Sequence, residues 1–195
     1  MKNIVHIGAG GEIPHGDETM YHFFEPRNDD KLDSNKHRSN VVIYPFAASD
    51  YNGVGTLNIT NKLGCSSFLE PNLELIRTLQ PDTWRRFEIN KSIEVPVKRA
   101  DCVLDNSMII DTLVIDTQGY ELNVLKGCGD LLKNTRSIIC EVEYVELYKN
   151  QPLFDDIKSY LESFDFEFVD LDRVVYWESE TPIFGDAIFK NKNLK

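Results

Sequence analysis

The stretch IDTLVIDTQG, residues 110–119, decides how the chain is read. Its apolar run ends in Asp116 and Gly119, the pattern of a buried parallel strand that runs into a turn. YELNVLKGCGDLLKN, residues 120–134, has a helical pattern, interrupted by Gly127 and Gly129. SIICEVEY, residues 137–144, is again a buried strand. Strands that alternate with helices make an α/β domain with a mostly parallel sheet.

The same reading extends outward. NIVHIGA (3–9), MYHFFEP (20–26) and NVVIYPFAAS (40–49) read as strands, and GTLNITN (55–61) alternates like a half-exposed one. PNLELIRTL (71–79) is helical, with Leu73, Ile76 and Leu79 on one face. SIEVPVKRADCVL (92–104) is extended. PLFDDIKSYLESF (152–164) is an amphipathic helix with Pro152 near its start. The last strands, FEFVDLD (166–172) and GDAIFKN (185–191), have only the polar connection RVVYWESETPIF between them. A parallel crossover would need a helix there, so these two are expected to pair antiparallel at one edge.

In such a sheet, ligands bind beyond the carboxyl ends of the strands. Gly8, Ala9, Gly10 and Gly11 follow the first strand; they admit a ligand close to the backbone. Glu25 follows the second, placed to accept both hydroxyls of a ribose. Asp50 follows the third and Asp116 the fourth, with Glu141 and Glu143 near the end of the fifth. A rim of carboxylates without Lys or Arg suits a cationic ligand better than a pyrophosphate. IVHIGAGGEIPHG (4–16) agrees. Gly8 and Gly10 fit a dinucleotide fingerprint, but Ile13 stands at the third glycine, and Pro14 spoils the helix that would hold a pyrophosphate. S-adenosylmethionine carries a sulfonium and no phosphate, so it needs no such helix end.

Residues 113–143 resemble the FkbM-type methyltransferases. The matching residues are Asp116, Gln118, Gly119, Glu121, Leu125 and Gly127, with Glu141 in the next strand. FEP (24–26), AASDYNG (47–53), CSSFLEP (65–71) and GDAIFK (185–190) also look like family segments. The resemblance implies a Rossmann-like class I methyltransferase fold over residues 1–195 as a single domain, its parallel sheet ending in an antiparallel edge pair. It implies O-methylation of a hydroxyl on a small molecule or saccharide, with S-adenosyl-L-methionine as cofactor. The chain departs from that pattern in three places. His6 stands where the family usually has Asp, only EIPHGDET (12–19) remains of the helix after the first strand, and no helical segment precedes that strand. A shortened N-terminal helical region is therefore expected.

A hydroxyl acceptor needs its proton removed, which calls for a general base. Asp116 is the first candidate, with Glu141 and His15 as substitutes; Asp116 could hold the cofactor's methionine part instead. The cofactor-binding candidates are Gly8, Ala9, Gly10, Gly11, Glu25, Asp50 and Asp116. Each carries a plainer reading. Glu25 can flank the turn before Pro26, Asp50 can start a turn with Asn52-Gly53, and Asp116 can cap the next helix. Glu121 suits a helix's first turn in any protein. Glu143 is expected to be partly exposed, His6 a hydrogen-bonded core histidine, and Ser66 and Ser67 pocket residues or caps of the helix containing Leu73. Asp116 and Glu141 are hard oxygen ligands, but their spacing demands no metal.

Composition narrows the partners. A net charge of −11 disfavours nucleic acid and anionic membranes; Trp84-Arg85-Arg86 is the only evident basic cluster. Cys65, Cys102, Cys128 and Cys140 form no metal-ligand pattern and read as reduced thiols of a cytoplasmic protein. Neither a signal peptide nor a spanning segment is evident. The segments around 27–40 and 172–185 carry no legible code for the acceptor. Two rival functions remain: a non-catalytic binding or assembly module on this fold, and a nicotinamide-dependent oxidoreductase.

Overall fold

The computed structural model describes residues 2–8, 18–27, 37–178 and 180–194. Seven strands form the central sheet: β1 (Lys2–Ile7), β2 (Thr19–Phe24), β3 (Val41–Tyr44), β7 (Ile110–Ile115), β8 (Thr135–Glu143), β9 (Phe166–Trp177) and β10 (Thr181–Asn191). Their order is β3-β2-β1-β7-β8-β10-β9. The first five are parallel; β10 is antiparallel to both β8 and β9. This is the expected α/β sheet with an antiparallel edge pair. The segment RVVYWESETPIF is mostly strand rather than connection: β9 continues to Trp177 and β10 begins at Thr181.

Strand alternation sends Val5, Ile7, Leu113, Ile115, Ile138 and Cys140 to one face of the sheet. There they meet the apolar sides of two helices, α2 (Glu121–Cys128) and α3 (Phe154–Glu162). Val124 and Leu125 come from the first helix, Ile157 and Leu161 from the second, and all four are fully buried. Helix α3 starts after Leu153, whose N–H donates to the Asp156 carboxylate at 2.9 Å; Pro152 lies just outside it. Helix α2 ends where Gly129 turns to φ +50, and residues 129–134 tighten into a 3-10 stretch. On the other face, Tyr21 and Phe23 pack with Ile4, Val41 and Ile43.

One feature departs from the expected single run of strands. Pro45 ends β3, and Ala47–Ala48 form a separate strand, β4, which joins β5 (Gly53–Thr60) and β6 (Ile89–Lys98) in a second sheet. The order there is β4-β6-β5. This sheet packs Leu57, Ile59, Val95 and Val97 around Ala47. Helix α1 (Leu73–Leu79) adds Ile76 to a cluster with Phe87, Leu147 and Tyr148. Among the described residues no helix is long and apolar enough to cross a membrane.

Candidate active site

A cavity of about 770 Å³ opens at the carboxyl ends of β1, β2 and β7, with the second sheet and the 63–68 loop as its opposite wall. Gly8 forms part of its floor with φ +82. A side chain there would overlap the Asp116 carbonyl oxygen and bring Cβ to 2.7 Å from Thr117 Cγ2. The strand ends are stitched at this point. Gly8 N–H donates to the Phe24 carbonyl at 3.3 Å, and Asp116 N–H to that of Ile7 at 3.0 Å. Ala9, Gly10, Gly11 and His15 lie outside the described residues.

The turn after β7 holds Asp116 in place. Gln118 and Gly119 both take positive φ, +58 and +88, which reverses the chain into α2. Glu121 reaches back and its Oε1 accepts from Thr117 N–H at 2.8 Å, Thr117 Oγ1 at 3.0 Å and Gly119 N–H at 3.2 Å. Its carboxylate thus braces the turn and does not face the cavity. The Gln118 amide donates to Asp116 Oδ1 at 2.8 Å and to Glu141 Oε2 at 2.5 Å, and its oxygen accepts from Tyr148 OH at 3.0 Å. Ser67 Oγ donates to the Gln118 carbonyl at 2.7 Å. The sequence marks Gln118 only as a motif residue, with no role of its own at the site. Its place between Asp116 and Glu121 in the motif was the available signal, whereas nothing marked Tyr148.

Strand register sets the rest of the acidic group. Ile115 pairs with Cys140 and Glu141 pairs with Asp186, so Asp116, Glu141 and Asp186 come from three adjacent strands. Burial pushes the Glu141 carboxyl well above its ordinary value, and the Asp116 charge adds to this. Burial also raises Glu143, helped by the Glu121 charge. Glu143 is 2% exposed, not partly exposed as its place at the strand end had implied; its register partner is Phe184 of β10. Burial lifts Glu121 to about 7 against its three hydrogen bonds. Asp186 is raised by burial as well, and its ion pair with Arg173 opposes the shift.

Glu25 lines the cavity and is 3% exposed. Arg27 engages both its oxygens: N–H and Nε to Oε1, each at 2.9 Å, and Nη2 to Oε2 at 3.1 Å. The rim is therefore not free of cations, since Arg27 and Arg173 both line it. Asp50 does not line this cavity; it follows β4 of the second sheet, and its Oδ2 accepts from Asn123 Nδ2 at 3.3 Å. Ser66 and Ser67 do line it, and α1 is capped instead by Asn72 Oδ1, which accepts from Leu75 N–H at 3.4 Å. His6 stacks on Phe23 at 4.9 Å, and its buried Nδ1 has no partner among the described residues. It is half-buried and lines the cavity rather than the core, without the expected hydrogen bond there, and burial lowers it to about 4.

A family model described as the methyltransferase FkbM domain matches residues 11–168, most of the chain. The chain belongs to the FkbM methyltransferase family. The crystal structure of an FkbM methyltransferase from Methylobacillus flagellatus KT has a similar fold, with a TM-score of 0.56 at 13% identity. The similarity covers 97% of this chain and 43% of that one, so this chain spans under half of its length. No curated protein sequence matches the chain. For an FkbM methyltransferase, the strand order places Gly8, Glu25 and Asp116 where α/β sheets bind ligands, beyond the carboxyl ends of β1, β2 and β7. Among the described residues no group of three or more His, Cys, Asp or Glu is arranged to hold a metal ion.

Proposed function

We propose that the chain is an S-adenosylmethionine-dependent O-methyltransferase acting on a hydroxyl of a small molecule or saccharide. The observation that carries this reading is one cavity lined by Gly8, Glu25 and Asp116, with the Asp116 carboxylate oriented by Gln118. These residues fit the cofactor. Gly8 leaves backbone open to a close approach, Glu25 offers a buried carboxylate for a ribose hydroxyl, and the acidic surroundings favour a sulfonium. When bound, S-adenosylmethionine supplies an electrophilic methyl group.

The rest falls to the chain's own side chains. Asp116 accepts the proton of the acceptor hydroxyl, which a neutral alcohol must lose during or after attack. Burial raises Glu141 well above its ordinary value, so it takes up a proton more readily than a free carboxyl, which favours Asp116 as the base of the pair. Gln118 keeps the two carboxyls apart in function by donating to each. Positioning of this kind supplies much of the rate in an in-line displacement.

One observation favours a second reading, a methyltransferase fold used as a binding module. Arg27 already fills three of the acceptor positions of Glu25. Isothermal titration with S-adenosylmethionine and S-adenosylhomocysteine separates the two. Binding that weakens at least tenfold in Glu25→Ala supports the first reading, and no heat with either ligand supports the second. Asp116→Asn should then keep cofactor binding and lose turnover; full turnover in that variant would remove the base role.

A further inference from the structure

We propose that Arg173 recognises the methyl acceptor, and that the acceptor carries an anionic group, a carboxylate or a phosphate, near the hydroxyl to be methylated. The proposal rests on the methyltransferase reading of the same cavity. It starts from a defect in strand β9. Asp172 pairs with Asp186 and Val175 with Phe184, so Arg173 and Val174 together face the single residue Gly185. This is a β-bulge, and a bulge re-aims a side chain next to a site.

Arg173 also sits at φ +48, a conformation that a residue with a Cβ rarely adopts. The result is a guanidinium that lines the cavity and pairs with Asp186. Its side chain remains 74% exposed while that of Asp186 is 14% exposed. With the guanidinium end this exposed to water, the pair contributes little to stability. Stability therefore does not account for a bulge and a left-handed arginine at one position. A guanidinium has five donors in a planar fork, and one carboxylate does not use them all. The remaining donors match a carboxylate or phosphate in bidentate geometry.

Placement separates this role from the cofactor's. Glu25 follows β2, whereas the Arg173 guanidinium reaches across to Asp186 on β10, so the two stand on opposite sides of β7 in the sheet order. Asp116, the proposed base, comes between them, just past the end of β7. An acceptor held at Arg173 can extend its hydroxyl toward Asp116 from the side opposite Glu25. The carboxylates of that row would repel an anionic acceptor, and Arg173 is the cation that offsets them at the cavity's edge.

The test is titration of the whole chain with D-glucuronate, D-glucose 6-phosphate and D-glucose at low salt, each with wild type, R173Q and R173K. At least one anionic sugar should bind about tenfold more tightly than glucose. That preference should vanish in R173Q and return in part in R173K. The tighter of the two anions tells carboxylate from phosphate. Asparagine tolerates the left-handed backbone, so R173N replaces R173Q if the latter melts early. Equal binding of glucose and the anions, a preference that survives in R173Q, or no binding of either anion at about 20 mM overturns the proposal. S-adenosylhomocysteine is titrated separately. Its failure to bind would overturn the cofactor reading without changing the anion comparison.

Discussion

Gly127→Ala sets helix propensity against packing. In a free helix, alanine is favoured over glycine by about 1 kcal/mol. Here Gly127 faces the backbone of the second sheet's first strand. An added Cβ would overlap the Ser49 carbonyl oxygen and stand 2.6 Å from Ser49 C and 3.3 Å from Asp50 N. Helix α2 cannot back away cheaply, because Tyr120 OH and Ser49 Oγ are 2.9 Å apart and Asn123 Nδ2 donates to Asp50 at 3.3 Å. Overpacking costs about 1–3 kcal/mol, and each disturbed hydrogen bond about 1 kcal/mol more. After subtracting the propensity gain, the expected loss is about 2 kcal/mol. With a urea slope of about 2 kcal/mol/M, the unfolding midpoint falls by about 1 M at constant slope. A midpoint that stays put or rises would refute the close approach of α2 to Ser49.

The buried acids make stability depend on pH. Glu121 is raised from 4.5 to about 7, so the folded state holds the proton more tightly. Its contribution is complete below about pH 4.5 and lost as pH rises through 7, up to about 3 kcal/mol. His6, lowered from 6.5 to about 4, works the other way: stability present above 6.5 is lost as pH falls through 4. Denaturation of wild type and Glu121→Gln across pH 4–9 should show the variant gaining relative stability as pH rises; parallel curves would argue against a buried, raised Glu121. Tyr148→Phe removes the donor to Cys65 O and Gln118 Oε1, both at 3.0 Å, and should cost about 1–2 kcal/mol by thermal melting. Turnover should fall with it, since Gln118 loses its anchor; an unchanged melt and rate would make the phenol dispensable. Arg27→Met should raise affinity for S-adenosylhomocysteine by titration calorimetry, because the ion pair occupies the Glu25 oxygens that a ribose would use; a lower affinity would refute that competition.

How much the chain alone discloses depends on the range of the interaction. Asp116, Gly119 and Glu121 are readable because an apolar run, a turn and a helical pattern follow one another within a dozen residues. The antiparallel pairing of the last two strands is readable too, because no helix lies between them. The two-residue strand Ala47–Ala48 is not, since only its pairing with Val97 and Lys98 makes it a strand. Nor is the burial of Glu143, which stands at the end of its strand where the local pattern implies part exposure.

The α/β class, the carboxylates at strand ends and the family resemblance are all consequences of local periodicity and short motifs. Tertiary structure decided that Gln118 bridges Asp116 and Glu141, that Arg27 holds Glu25, and that Arg173 and Asp186 join the cavity. Arg27 and Gln118 stand two residues from Glu25 and Asp116, so turn geometry sets those two contacts. The contacts of Gln118 with Glu141 and of Arg173 with Asp186 exist only once separate strands lie side by side in register.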